Sequence, residues 1–256
     1  MEGTSRQSTQ PDVNVTIVLV HGAFADGSSW NGVIERLQRQ GHRVVAPANP
    51  LRGLSSDSAY TASVINQIDG PVLLVGHSYG GAVITNAATA APNVVGLVYV
   101  AAFAPDEGER LGEADSKDSV LNAALLQRKY PVGPNGETAT ELFVDPSKFH
   151  EAFAADLPAE LTAVAAATQR PIAAVAFSEQ SGPAAWKTLP SWAAVATADK
   201  AAGTDVVRAM AMRAKAKIVE VEGSHVIMIS QPDAVTDLIL QAVRGVAEHA
   251  PAGAQP

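Results

Sequence analysis

This 256-residue chain contains no cysteine. The absence excludes disulfides, thiolate metal sites and a cysteine nucleophile, and it fits a reducing compartment. Residues 1–14 are polar and lack the apolar stretch of a signal peptide. We therefore expect a cytoplasmic protein. Residues 1–14 and 249–256 are rich in polar or small residues, so we expect both ends to be flexible.

Basic residues and long apolar runs are also scarce. Lysine and arginine number 18 against 26 acidic residues, which gives a formal net charge of −8. Nucleic-acid binding needs a concentrated positive face, so we expect no nucleic-acid partner. No apolar run approaches the ~20 residues that span a bilayer, so we expect no membrane insertion.

What the chain does contain is an alternation of strand-like and helix-like segments. Apolar and β-branched runs predict strands over residues 15–20, 43–46, 72–75, 94–103, 191–198 and 217–221. Helical spacing predicts helices over residues 28–40, 55–68, 81–91, 203–215 and 230–248. The sequence thus predicts an α/β fold, with a mostly parallel central sheet flanked by helices.

The alternation stops after the strand that ends near Phe103. In the segment that follows, no strand is predicted, and the spacing of Phe149, Phe153 and Leu157 indicates helical structure. A long insertion of this kind is expected to form a cap over the sheet. The predicted organisation is a core of residues 15–104 and 188–248 with a helical cap of residues 105–187.

The motif Gly76-His77-Ser78-Tyr79-Gly80 follows the predicted strand over residues 72–75 directly. A serine on a sharp strand-to-helix turn has a strained backbone, with neighbouring chain segments packed close to it. Glycine two residues before and two residues after the serine permits that close approach. The pattern is typical of a nucleophile elbow, and it identifies Ser78 as the candidate nucleophile.

A serine hydroxyl needs an adjacent base, and that base needs an acidic partner. His225 follows the last predicted strand, and loops at the carboxyl ends of parallel strands converge on one sheet edge, where Ser78 also lies. Asp199 follows the preceding strand directly. We predict His225 as the base and Asp199 as the acid; Asp106 is the rival acid and Asp205 a weaker one.

Negative charge that develops on a substrate oxygen needs preorganised hydrogen-bond donors. One predicted donor is the backbone N–H of Tyr79, at a helix N-terminus. The second is expected from the loop after the first strand, His21-Gly22-Ala23-Phe24. Ala23 is the favoured donor and Phe24 the second choice. His21 is expected to shape this loop rather than to act as a base.

In this set and order, the motifs resemble the α/β-hydrolase superfamily from Val15 to about Val246. The closest resemblance is to small capped serine esterases, the branch with plant methyl esterases, hydroxynitrile lyases and bacterial relatives. It implies the α/β-hydrolase fold and the order nucleophile, acid, base. Hydroxynitrile lyases carry a lysine after the catalytic histidine and a threonine where this chain has Gly22. Here Val226 follows His225, so both special residues of the lyases are missing.

These observations lead us to expect a serine hydrolase that cleaves carboxylic esters of small, mainly apolar substrates through an acyl-enzyme. Phe103, Trp186, Phe149 and Phe153 are candidates to line its substrate pocket. No metal or organic cofactor is implied. Carbon–carbon bond hydrolysis, perhydrolysis by the same triad, and ligand binding without catalysis stay open as alternatives, and a homodimer stays open as the oligomeric state.

Overall fold

A computed structural model describes residues 15–249 of the chain, and its centre is a six-stranded parallel sheet. Nine strands lie within this range: β1 (Thr16–Val20), β2 (Val44–Val45), β3 (Val72–His77), β4 (Val94–Val100), β5 (Leu125–Pro131), β6 (Thr138–Val144), β7 (Ile172–Ala173), β8 (Ser191–Ala196) and β9 (Lys217–Val221). The central sheet has the order β2-β1-β3-β4-β8-β9. The predicted mostly parallel sheet is confirmed.

Helices flank the sheet, as the alternation predicts. The nine α-helices within residues 15–249 are α1 (Asn31–Arg39), α2 (Leu54–Ile65), α3 (Tyr79–Ala87), α4 (Phe149–Phe153), α5 (Ala159–Thr168), α6 (Val175–Ser178), α7 (Thr204–Arg213), α8 (Ile227–Ser230) and α9 (Pro232–His249). In the core, α2 packs against α3, and α1 packs against α9. None of the helices in this described range is long and apolar enough to cross a membrane.

Three strands of the central sheet are completely buried, which explains their mostly apolar sequences. Every residue of β1, β3 and β8 is buried. A strand covered by helices on both faces is typically a continuous run of apolar residues rather than an alternation of apolar and polar residues. The β1–β3 register pairs Val20 with Gly76, which brings the end of β1 beside the turn that follows β3.

Strand β4 is shorter than predicted, because the chain turns at its end. It stops at Val100, whereas the apolar run continues to Phe103. Ala101 has φ of 44°, in the left-handed region that a continuing strand does not use. Ala101 and Ala102 are buried without being part of the strand, and the half-buried Phe103 lies in the loop that leads into the inserted segment.

The prediction that residues 105–187 contain no strand is wrong. The segment contains α4, where the spacing of Phe149 and Phe153 indicates helical structure, and also α5, but β5, β6 and β7 form a separate antiparallel sheet. Strand β5 is mostly exposed, so it lacks the alternation of apolar and polar residues that identifies a half-buried strand. Gly136 in the hairpin loop has φ of 80°, a conformation that favours glycine.

The inserted segment joins β4 to β8, and it is held to the core by a buried carboxylate. Glu141 of β6 is only 4% exposed. It forms ion pairs with Arg52 of the core (2.9 Å) and Arg128 of β5 (2.6 Å). The division into core and cap stays a prediction. The two ends expected to be flexible, apart from His249 at the end of α9, lie outside the described residues.

Candidate active site

Ser78 occupies the sharp turn between β3 and α3. Its backbone has φ of 53° and ψ of −124°, a combination that costs of order 1–3 kcal/mol for a residue with a side chain. Strained conformations of this kind cluster at functional sites, where the surrounding structure holds them. Ser78 is 7% exposed, so its side chain is almost enclosed by the protein.

Two glycines permit this turn. A Cβ atom on Gly76 would lie 2.6 Å from the carbonyl oxygen of Gly80. A Cβ atom on Gly80 would collide with the backbone of Val20 and lie 2.9 Å from the carbonyl oxygen of His21. Because the colliding atoms belong to the backbone, they cannot move aside as a flexible side chain can. Both glycines are therefore required by the packing of the turn.

His225 and Asp199 are hydrogen-bonded to each other. The Nδ1–H of His225 donates to Oδ2 of Asp199 over 2.8 Å, and each side chain is 1% exposed. The other carboxylate oxygen of Asp199 accepts from the backbone N–H groups of Ala201 and Ala202, both at 2.9 Å. The rival acids are engaged elsewhere: Asp106 pairs with Lys187, and Asp205 accepts from Ser116.

His77 connects the elbow to His225. Its Nε2–H donates to the backbone oxygen of His225 over 2.9 Å, and the two imidazole rings lie 4.6 Å apart. Burial, and secondarily the nearby His225 ring, hold the pKa of His77 well below its ordinary value. His77 is therefore neutral, and its Nδ1 has no hydrogen-bond partner among residues 15–249. Because His77 precedes Ser78 directly, this contact places His225 beside the elbow.

The loop after β1 packs directly against Ser78. A Cβ atom on Gly22 would lie 2.7 Å from Cβ of Ser78, so a side chain at this position would require the loop or the turn to shift. The N–H of Ala23, the favoured oxyanion donor, donates to no other described residue. The N–H of Phe24 instead donates to the carbonyl of Arg170 over 3.0 Å. The second choice, Phe24, is thus unsuited to this role, because its N–H already has an acceptor.

The same loop is fixed by His21, which the sequence assigns to a structural role. Nε2 of His21 accepts from the N–H of Asn49 at 3.0 Å, and its Nδ1–H donates to the carbonyl of Gly22. The side-chain amide of Asn49 donates back to the carbonyl of His21 at 3.0 Å. Burial lowers the pKa of His21, so the ring is neutral. Asn49 is a site-shaping residue that sequence reasoning missed.

Tyr79 supplies the first N–H of α3, which has no acceptor within the helix. Its side chain is anchored by Asp57, a fully buried residue of α2 that accepts from the Tyr79 hydroxyl at 2.7 Å. Both oxygens of Asp57 also accept from the N–H of Arg52. Burial raises the pKa of Asp57. Sequence reasoning missed this carboxylate, because a single aspartate in a helix resembles many solvated ones.

A second missed carboxylate holds the loop that carries His225. Asp156, between α4 and α5, accepts from the N–H of Ser224 at 3.0 Å and from the Ser224 hydroxyl. Burial favours the protonated form of Asp156, but the hydrogen bonds outweigh it and lower its pKa. The inserted segment therefore takes part in positioning His225, which directly follows Ser224.

The predicted pocket residues are divided among different places. Phe149 and Phe153 line a cavity of about 410 Å³, whereas Phe103 lines a second cavity of about 190 Å³. Trp186 lines neither cavity. Its Nε1–H donates to the carbonyl of Pro105 at 3.0 Å, and its ring lies against the Arg213 guanidinium. Trp186 is thus a packing residue here, and the prediction that it lines the pocket does not fit these contacts.

The site's own groups are a serine, a histidine and an aspartate, with backbone N–H groups nearby. Within residues 15–249, no group of three or more His, Cys, Asp or Glu side chains is arranged to hold a metal ion. Together with the parallel sheet and the elbow, this arrangement defines a protein of the α/β-hydrolase class. Residues 17–238 match the Alpha/beta hydrolase family, so the chain belongs to that family.

Individual relatives agree with this assignment. The chain is 38% identical over 107 residues to the carbendazim hydrolyzing esterase of Nocardioides sp. (strain SG-4G), covering 37% of this chain and 44% of that protein. It is 33% identical over 103 residues to Methylesterase 8 of Arabidopsis thaliana, covering 35% and 38%. The matches thus span less than half the length of these two curated relatives.

Solved structures resemble the chain over nearly its whole length. The structure of polyneuridine aldehyde esterase superposes with a TM-score of 0.76 and covers 90% of this chain and 99% of its own. The sequence identity of that superposition is 20%, so the likeness concerns the fold. The predicted α/β-hydrolase fold is confirmed.

Proposed function

We propose that the protein is a serine hydrolase that cleaves carboxylic esters of small, mainly apolar substrates. The observation that carries the proposal is the buried His225–Asp199 hydrogen bond beside the strained Ser78. A histidine oriented by a carboxylate, next to a serine on a sharp turn, is the arrangement that activates a hydroxyl at neutral pH. The names of the relatives, which are esterases, support the same reaction class.

In the proposed reaction, His225 Nε2 takes the proton of the Ser78 hydroxyl as its oxygen attacks the ester carbonyl. The carbonyl oxygen becomes an oxyanion, which accepts from the N–H groups of Ala23 and Tyr79. When the carbon–oxygen bond to the alcohol breaks, His225 gives its proton to the leaving oxygen. The acyl group stays on Ser78. Water, deprotonated by His225, then attacks the acyl-enzyme and releases the acid, and the serine regains its proton.

Asp199 contributes by holding the tautomer of His225. Because Nδ1–H donates to the carboxylate, the proton of the neutral ring is on Nδ1 and Nε2 is free to accept. The carboxylate also stabilises the imidazolium that forms during the reaction. The two N–H groups of Ala201 and Ala202 keep the carboxylate oriented toward the ring. No step needs a metal or an organic cofactor.

The proposal is tested with Ser78→Ala and a matched control, Ser63→Ala, which changes an exposed serine on α2. Wild type and Ser63→Ala should release more than one equivalent of p-nitrophenol per chain from p-nitrophenyl acetate, and a fluorophosphonate should label both. Turnover distinguishes an enzyme from a ligand-binding protein. In Ser78→Ala, kcat should fall at least about 10³-fold and labelling should disappear. Labelling that persists in Ser78→Ala would contradict the assignment of Ser78 as the nucleophile.

A further inference from the structure

Two separate cavities have lining residues that contact the Ser78 turn or the His225 ring, and Ser78 itself lines neither of them. The larger one, of about 410 Å³, falls in the roughly 300–1,000 Å³ range of small-molecule sites. We call it the His-side cavity. It lies among the loop after β1, helices α4 and α5, and the residue after His225. Its apolar lining residues include Phe24, Phe149, Phe153, Leu157, Leu161 and Val226, and its polar lining residues are Asp26, Ser28, Ser29, Asn31, Thr168 and Gln169.

The smaller one, of about 190 Å³, is the Ser-side cavity. Its apolar wall includes Phe103 and Phe177. Polar residues also line it, namely Asp115, Ser116, Ser119 and Asn122. The surface of the larger cavity is mostly apolar, whereas polar and apolar surface are about equal in the smaller one. The larger one suits an apolar ring or a branched chain, and the smaller one suits a short group.

Contacts of the lining residues associate the larger cavity with His225 and the smaller cavity with the Ser78 turn. The Phe153 ring of the His-side cavity lies 5.0 Å from the His225 ring, and Val226 follows His225 directly. On the Ser side, the N–H of Phe103 donates to the carbonyl of Ser78 at 3.2 Å. The Phe177 ring lies 6.3 Å from the ring of Tyr79, the residue after the nucleophile.

The chemistry of ester cleavage indicates which part of the substrate each cavity would hold. The leaving oxygen must receive a proton from His225, so the alcohol part of the ester extends from the His225 side of the reacting carbon. The acyl carbon is bonded to Ser78, so the acyl chain extends to the other side. We propose that the His-side cavity holds the alcohol arm of the substrate and the Ser-side cavity holds the acyl arm. This inference rests on the proposed ester hydrolysis.

The substrate class follows from the two cavities. The protein should prefer esters that join a bulky apolar alcohol to a short acid. The His-side cavity also lies beside a hydrogen bond between the loop after β1 and the end of α5. In this bond the Phe24 N–H donates to the carbonyl of Arg170, just beyond α5. Helix α5 also lines this cavity, with Leu161, Val164 and Ala165. An alcohol arm in this cavity would therefore contact both elements that this hydrogen bond joins.

Benzyl acetate and methyl phenylacetate test the assignment, because they are isomers with the ester group reversed. The wild-type protein should hydrolyse benzyl acetate with a kcat/KM at least about tenfold higher, since burial of a few extra carbon atoms changes kcat/KM by about 10- to 200-fold. Rates of alkaline hydrolysis of both esters correct for their intrinsic reactivity. Equal values, or a preference for methyl phenylacetate, would overturn the assignment.

A variant pair on α5 tests which cavity is responsible. Ala165→Phe fills the His-side cavity, whereas Ala163→Phe places the same ring on the exposed face of the same helix. Ala165→Phe should lower the ratio of kcat/KM for benzyl acetate to that for methyl acetate by about tenfold or more. Ala163→Phe should leave the ratio unchanged. A ratio that Ala165→Phe does not alter would contradict the assignment.

These experiments distinguish failure of the cavity assignment from failure of the proposed ester hydrolase function. If Ser78→Ala abolishes methyl acetate hydrolysis while the two isomers react equally, the ester hydrolase proposal stands and only the assignment of the arms is overturned. If Ser78→Ala hydrolyses methyl acetate at the wild-type rate, the proposed function fails and the assignment fails with it. Should Ala165→Phe not fold, the isomer comparison on the wild-type protein still decides.

Discussion

Replacing Asp199 by asparagine tests whether the carboxylate determines which ring nitrogen of His225 carries the proton. One oxygen of Asp199 accepts from the N–H groups of Ala201 and Ala202, and the other faces Nδ1 of His225. In Asp199→Asn only one oxygen remains. Because the two backbone donors need an acceptor, that oxygen stays with them, and the new NH₂ group faces His225. The histidine must then accept at Nδ1 and carry its proton on Nε2, where it cannot take a proton from Ser78.

The expected loss of kcat follows from the free-energy cost of turning the new amide so that its oxygen, and not its NH₂ group, faces His225. Turning the amide restores the working tautomer but leaves two buried N–H groups without an acceptor, at about 1–3 kcal/mol each, or about 2–6 kcal/mol together. A factor of ten corresponds to about 1.4 kcal/mol, so kcat should fall by about 30-fold to 10⁴-fold. KM should change little, because the substitution leaves the substrate cavities intact.

The assay is the steady-state hydrolysis of p-nitrophenyl acetate, with thermal melting to confirm that the variant is folded. Asp205→Asn is the matched control, since Asp205 was a rival candidate and is bound to Ser116 instead of a histidine. That control should keep its activity within about twofold. The reasoning is refuted if Asp199→Asn retains more than about a tenth of wild-type kcat, or if Asp205→Asn loses as much.

Two further predictions concern stability. Gly76→Ala should lower the free energy of unfolding by more than about 2 kcal/mol, because its Cβ meets the backbone of Gly80. Gly27→Ala, whose Cβ meets only a carbonyl oxygen at 3.8 Å, should stay within about 0.5 kcal/mol of wild type in urea denaturation. The pKa values of His21 and His77 are lowered, so below pH 6.5 the unfolded chain binds more protons than the folded one. Stability should therefore fall as the pH is lowered below about 6.5, by up to about 1.4 kcal/mol per pH unit for each histidine, and constant stability there would contradict their neutral state.

The catalytic candidates were predictable because parallel topology brings distant residues together. Ser78, Asp199 and His225 each follow a strand of the central parallel sheet, and the carboxyl ends of parallel strands meet at one edge of the sheet. Neither the strand pattern nor that rule depends on the inserted segment. The structure brings Asp199 and His225 together at hydrogen-bond distance, while their catalytic roles stay proposals.

The parts that sequence could not provide depend on contacts between segments with no common pattern. Asp57 and Asp156 resemble solvated carboxylates until the fold buries one under Tyr79 and places the other against Ser224. Strand β5 was missed for the opposite reason, since an exposed strand has no apolar face to reveal it. Trp186 was expected in the pocket because it is large and apolar, but its indole N–H and ring have partners elsewhere.

Burial and hydrogen bonding distinguish the three histidines nearest to the elbow. His21 and His77 are both neutral, and each has one ring N–H committed to a backbone carbonyl. Neither can accept a proton without charging an imidazole that burial keeps neutral. His225, in contrast, donates to the carboxylate of Asp199, and that contact compensates the positive charge that proton transfer creates. The neighbouring histidines thus serve as neutral packing around His225, which we propose as the acceptor of the Ser78 proton.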